Sequence, residues 1–316
     1  MSTSARVTVL RNPPRPRNVY QNLTGILRVS INTEGYLHVG SGEAHYDAPK
    51  PDEMLKSLEK MGWEKTIETQ AAKIGLDYLD MVTVDDKPCI PGSSVKGNVR
   101  SRIELSLVNN NGKTPSCFIK ASPPQFARDK RAYRHRKVWG NVLDEDRGFP
   151  CDYTKSQSVC MVCDMFGTAG LSGLVAFTDF VGEKVVLENV AGQHGLKLRT
   201  APPKSVFRGS ITFRNLEPHE LGLLLHGLGI QQTATGKTVL LGRLKYVGNI
   251  GGKPIGKIRY ILESLTFSEF SEQFRNHVRG KPITGTELEN LVKDLVSEMK
   301  TKLGPHLRNV QEVTQA

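Results

Sequence analysis

Apolar and polar positions along the chain switch between two periods. Leu27, Val29 and Ile31 alternate with Arg28, Ser30 and Asn32, the period of a half-buried strand. The alternation returns at Phe207, Gly209, Ile211 and Phe213, set against Arg208, Ser210, Thr212 and Arg214. It returns again within 256–264 at Ile258, Tyr260 and Leu262, and the apolar run 173–181 reads as a further strand. Helical spacing separates these segments. Val95, Val99 and Ile103 recur one turn apart behind Ser93 and Ser94, either of which suits an N-cap. Leu221, Leu224, Leu225 and Leu228 form an amphipathic stripe, and Leu288, Leu291, Val292 and Leu295 predict a closing helix. One more helix is predicted from about residue 51 to residue 73.

Without insertions the order is strand, helix, strand, strand, helix, strand. This predicts an α+β chain with a ferredoxin-like βαββαβ core, the arrangement that also underlies the RNA recognition motif. The expected organisation is a basic, proline-rich arm over 1–22, the core over 23–265 with irregular insertions at 43–88 and 109–165, and a helical extension over 266–316. No repeat of fixed period occurs.

Composition changes this picture in one respect. Forty-three Lys and Arg against 32 Asp and Glu leave a net charge of +11. Such an excess suits a polyanionic partner, because Lys and Arg gain affinity by displacing counterions from phosphates. The plain alternative is a solvated basic surface. The first residues hold no apolar signal core and no segment reaches the length of a membrane span, so the expected location is cytoplasmic. Five cysteines in such a chain point to metal or free thiols rather than disulfides.

The candidate chemistry lies in four places. Pro91-Gly92-Ser93-Ser94 puts hydroxyls and backbone N–H groups at a helix start, with Lys96 and Arg100 one turn apart on one face. A helix N-terminus of this kind favours an anion; an ordinary capped helix is the alternative. Cys160 and Cys163 make a C-x-x-C zinc half-site, to which Cys151 and Cys117 can add ligands; His135 could replace Cys117, and Cys89 is read as a buried apolar residue. Six basic residues surround Tyr133 in 128–137, including Arg131, Arg134 and Arg136, a composition suited to phosphate contact and base stacking. His38, behind the first strand, could approach RNA; a structural histidine is the alternative. Gly236-Lys237-Thr238 is no P-loop, since Gln231 stands where a glycine is required.

Five segments carry a resemblance: LRVSINTEGYLHVGSG (27–42), IPGSSVKGNVRSRIE (90–104), CMVCDMFGTAGLSGLVAFTDF (160–180), GSITFRNLEPHELGLLLHGLG (209–229) and GGKPIGKIRY (251–260). Together, and in this order, they resemble the RAMP superfamily of CRISPR systems. The resemblance implies a backbone-type subunit of a type III effector complex. Its partners would be the CRISPR guide RNA, target RNA, other RAMP subunits and the complex's large subunit. It implies guide-RNA contacts at His38, Gly40, Ser41, Ser93, Ser94, Lys96, Arg100 and Lys253. Some such subunits cut the paired target through an aspartate in the loop before the Pro-Gly-Ser-Ser turn. Asp80, between Leu79 and Met81, matches best; Asp77 is second, and Asp85 and Asp86 are weaker. That carboxylate would bind Mg2+ or Mn2+ or orient a ribose 2′-OH. The alternatives are a non-catalytic structural or capping subunit and a ribonuclease that trims guide precursors through His38 or His45.

Overall fold

The computed structural model describes residues 6–47, 50–71, 75–119, 130–191 and 197–315 of a mixed α+β chain. Strand Leu23–Thr33 lies near the middle of a nine-stranded sheet. Leu27, Val29 and Ile31 are fully buried while Arg28 is exposed, which is why the period was legible. Truncating one of these core residues to Ala costs about 2–5 kcal/mol. Strand Leu23–Thr33 pairs antiparallel with Val206–Leu216 on one side and with Lys257–Phe267 on the other. Beyond Val206–Leu216 come Val175–Phe177 and Phe180–Val181, into which the single strand expected over 173–181 is divided. Thr235–Leu240 adds an edge strand beside Lys257–Phe267 where none was expected.

Helices Gly92–Ser106 and Pro218–Gly227 meet closely: a Cβ on Gly227 would come within 2.8 Å of Val99 and Ile103. The closing helix, Gly285–Leu303, buries Leu288, Leu291, Val292 and Leu295, as their spacing predicts. It packs on the second helix so tightly that a Cβ on Gly222 would fall 2.1 Å from the Leu295 carbonyl oxygen.

A second, four-stranded sheet corrects the expectation of an irregular insertion at 43–88. Its order is Glu188–Ala191, Lys197–Thr200, Gly75–Met81 and Gly40–Asp47. Asp80 therefore sits on a strand, not in a loop. Leu79 packs against a small cluster of Val190, Leu198, Ile250 and Ile255, and that burial fixes the strand. The single helix expected over 51–73 is two, Pro51–Met61 and Trp63–Ala71, parted by Gly62 at φ +74°.

The basic N-terminal arm is extended as expected but docked. Thr8–Val9 pairs with Lys113–Thr114. Arg15 binds Asp164 at 2.8 Å and also pairs with Glu220, and Arg17 binds Asp164 at 2.6 Å. The basic stretch around Tyr133 continues as a helix, Lys130–Trp139. Among the described residues no helix is long and apolar enough to cross a membrane.

Candidate functional site

Strand alternation sets the first group. Side chains two apart share a face, so Asp80 lies with Tyr78 and not with Asp77. His45 on the neighbouring strand places Nε2 3.1 Å from Asp80 Oδ2 and stacks its ring on Tyr78 at 4.3 Å. From the other side Arg199 Nη1 approaches Asp80 Oδ1 at 3.7 Å. Asp80 Oδ1 also accepts the Met81 N–H at 2.8 Å, which holds the carboxylate still. Asp77 accepts from Lys197 Nζ at 2.6 Å. Asp85 and Asp86 lie beyond, in the turn between strands Thr83–Val84 and Lys87–Ile90, with φ of +49° and +61°.

His38, Gly40 and Ser41 border this group. Ser41 Oγ donates to the Asp80 carbonyl at 3.4 Å. His38 is fully buried. Its Nδ1 donates to the Arg199 carbonyl at 2.7 Å, which leaves Nε2 as a buried acceptor without a protein partner. Burial, first, and Arg243 lower the pKa of His38, so the ring is neutral. A Cβ on Gly40 would come within 3.2 Å of that Nε2; glycine keeps the space above it open. Val82 N–H bonds the Val39 carbonyl and Cys89 N–H bonds the Val82 carbonyl, each at 2.9 Å. The Asp80 corner and the Pro91 turn thus form one hydrogen-bonded frame.

At that turn the structure departs from the predicted cap. The N-cap is Pro91, and neither Ser93 nor Ser94 makes a capping hydrogen bond. Instead the Gly92 N–H donates to Asp179 Oδ1 at 2.7 Å, so a carboxylate already occupies the end of the helix. Only glycine fits at 92, because a Cβ would lie 2.4 Å from the Phe177 carbonyl oxygen. Lys96 is half-buried, and burial, then Arg100, lower its pKa. Arg100 points inward: Nε bonds Glu104 at 2.7 Å, Nη1 the Gly167 carbonyl at 2.7 Å and Nη2 Cys163 Sγ at 3.1 Å.

The cysteines form the second group. The Sγ atoms of Cys117, Cys151, Cys160 and Cys163 all lie within 4.8 Å of one another, and all four residues are buried. Cys117 and Cys163 are 3.4 Å apart and Cys160 and Cys117 3.7 Å. Tetrahedral zinc–thiolate bonds place sulfurs about 3.8 Å apart. Arg11 Nε and the Cys160 N–H both donate to Cys151 Sγ, at 3.4 and 3.2 Å. Hydrogen bonding among the thiols holds Cys151 and Cys163 below the usual thiol range and pushes Cys117 and Cys160 above it. These four residues could hold a metal ion. His135 is elsewhere, edge-on to Tyr246 at 4.8 Å. Burial pushes the Cys89 thiol up to about 11, consistent with an apolar role.

The remaining basic residues are scattered. Arg134 bonds the Val247 carbonyl, and Arg136 binds Asp144 through two 2.9 Å contacts. The side chain of Arg131 lies outside the described residues. Lys253 Nζ rests 4.5 Å above the Tyr36 ring, in a hairpin beside the second sheet. Sequence reasoning missed Arg199 and Lys197 altogether. It named His45 only for precursor processing, since nothing local ties it to Asp80.

The model of the RAMP superfamily matches residues 30–302, from the end of strand Leu23–Thr33 into the closing helix. The chain belongs to the RAMP superfamily. Solved structures similar to this RAMP chain include one of a type IV-B CRISPR complex, with 11% identity and TM-score 0.36, covering 80% of this chain and 95% of that one. Csc2 of Thermofilum pendens is 13% identical with TM-score 0.36, covering 96% of this chain and 84% of that one. No curated protein matches the RAMP chain.

Proposed function

We propose that this RAMP protein is a guide-RNA-binding subunit of a type III CRISPR effector complex that cuts target RNA paired to the guide. The observation that carries the cutting role is the contact of His45 Nε2 with Asp80 Oδ2 at 3.1 Å, beside Arg199. Family membership and the +11 charge support the RNA-binding role. We read the core as ferredoxin-like. Strands Lys257–Phe267, Leu23–Thr33, Val206–Leu216 and Val175–Phe177 are adjacent in that order, as in a βαββαβ unit.

The chemistry follows from the donor set. His45 is half-exposed and can reach RNA, whereas Asp80 is mostly covered. Asp80 therefore orients the imidazole, as a carboxylate does for a neighbouring base. His45 takes the proton of a ribose 2′-OH. The 2′-oxygen attacks the adjacent phosphorus and the P–O5′ bond breaks. The leaving 5′-oxygen takes a proton from water, giving a 2′,3′-cyclic phosphate and a 5′-OH. Arg199 offsets charge developing on the phosphate. A Mg2+ or Mn2+ ion does not suit this corner. Each carboxylate already faces a cation, Asp80 with Arg199 and Asp77 with Lys197, and no further carboxylate joins them among the described residues.

We assign the four-cysteine cluster to structural zinc. All-sulfur tetrahedral ligation is the chemistry zinc prefers, and it leaves no open position for a substrate. A non-catalytic structural role remains the second reading, favoured by those same neutralising pairs at Asp77 and Asp80. The complex assembled on guide RNA separates the two. Cutting of complementary RNA that is lost in His45→Gln, with guide RNA retained, supports the catalytic reading. Cutting at the parent rate refutes it.

A further inference from the structure

One end of the polar face of the central sheet holds a cleft that none of the residues above explains. One cross-strand row forms its floor: Ala176 opposite Thr212, Thr212 opposite Ile26, and Ile26 opposite Thr266. The row joins apolar surface to two hydroxyls. The cleft holds about 490 Å³, within the ~300–1,000 Å³ typical of small-ligand sites. Tyr20 lines its edge and stacks on Phe270 at 5.3 Å. These rings are 51% and 68% exposed, so an aromatic pair stands largely in water.

Two arginines flank the row. Arg28 follows Ile26 by two residues and Arg214 follows Thr212 by two. The strands are antiparallel, so the arginines fall on opposite sides of the row, each about 7 Å along its strand. Neither guanidinium has an ion-pair partner among the described residues, unlike Arg208 beside Glu263 and Arg259 beside Glu34 on the same sheet. An unpaired cation on each side of the row, with an exposed ring pair at the cleft's edge, fits a phosphate–base–phosphate unit.

We propose that this cleft binds one unstacked nucleotide of single-stranded RNA. The base stacks on Tyr20 and Phe270, the ribose meets the Thr212 and Thr266 hydroxyls, and Arg28 and Arg214 take the flanking phosphates. Base–aromatic stacking tolerates any base, so the site is sequence-independent. It is separate from the Asp80 corner: Ile26 and Thr33, where the strand turns toward His38, are seven residues or about 23 Å apart.

The test uses the full chain and a 4-thiouridine-substituted oligouridylate. Photocrosslinks should map to Tyr20 or Phe270. Tyr20→Ala with Phe270→Ala should weaken binding roughly ten- to hundredfold. Arg28→Gln with Arg214→Gln should lower the salt slope of log K by about 1.4, at ~0.7 per phosphate contact. Cutting is read separately, in Asp80→Asn within the assembled complex, so failure here and failure of the cutting role are distinguishable. The melting temperature of each variant is compared with the parent; should the alanine pair unfold, Tyr20→Leu with Phe270→Leu keeps apolar bulk without the ring face. Unchanged affinity in the aromatic variant, or crosslinks only elsewhere, overturns the proposal. So does intact RNA binding accompanied by loss of subunit association, which marks the ring pair as a protein contact.

Discussion

Arg100 Nη2 lies 3.1 Å from Cys163 Sγ while its Nε holds Glu104 at 2.7 Å. One side chain therefore links the helix Gly92–Ser106 to the cysteine cluster and neutralises a buried carboxylate. Burial pushes the pKa of Glu104 up and Arg100 opposes that shift.

Protein purified without chelator should contain about one zinc per chain, measured by elemental analysis. Cys163→Ser and Cys151→Ser should lose it and melt earlier. Arg100→Gln should keep the metal yet lose about 3 kcal/mol of stability, because Glu104 is left buried beside a weaker partner. Absence of zinc from the parent protein contradicts this assignment.

Gly92→Ala should destabilise strongly. The added methyl meets two backbone carbonyls, of Phe177 at 2.4 Å and Thr178 at 2.6 Å, neither of which can rotate away. Overpacking of this kind costs about 1–3 kcal/mol, and displacing Gly92 also breaks its bond to Asp179. Gly97→Ala is the control, since nothing lies within 4 Å of its Cβ position. Equal denaturant midpoints for the two variants refute the prediction.

Stability should fall in acid through His226. Burial is the main cause that lowers its pKa to about 4, with Lys237 and Arg102 adding to it. The unfolded chain binds a proton near the ordinary histidine pKa of ~6.5 and the folded one does not until about pH 4. The contribution is thus complete above ~6.5 and is lost progressively as pH falls toward 4, by about 3 kcal/mol in all. Denaturant titrations at stepped pH should show this slope, and His226→Leu should flatten it.

Legibility followed burial. Leu27, Val29 and Ile31, and the stripe Leu221, Leu224, Leu225 and Leu228, face the main core, so their periods survive in the sequence. Strand Gly75–Met81 gives the main core only its last residue, Met81, and otherwise covers the small cluster around Val190 and Leu198, while Asp77 and Asp80 interrupt its apolar pattern. Thr235–Leu240 was hidden behind the comparison of Gly236-Lys237-Thr238 with a nucleotide loop. Cys117 reaches Cys160 across 43 residues and His45 reaches Asp80 across 35, distances at which only the fold decides who meets. The inward course of Arg15, Arg17 and Arg100 was also invisible, since composition counts a buried arginine and a free one alike.

Asp80 is covered and His45 is accessible, so the two should fail differently. The most direct measurement is single-turnover cutting of guide-complementary RNA by the assembled complex, with EDTA and without, across pH. Asp80→Ala should lower the rate about 10²–10⁴-fold while guide-RNA affinity stays within a factor of about two. His45→Gln should do the same, the product should end in a 2′,3′-cyclic phosphate, and EDTA should leave the parent rate unchanged. Parent-rate cutting by Asp80→Ala, or a rate abolished by EDTA and restored by Mg2+, would contradict the Asp80–His45 mechanism.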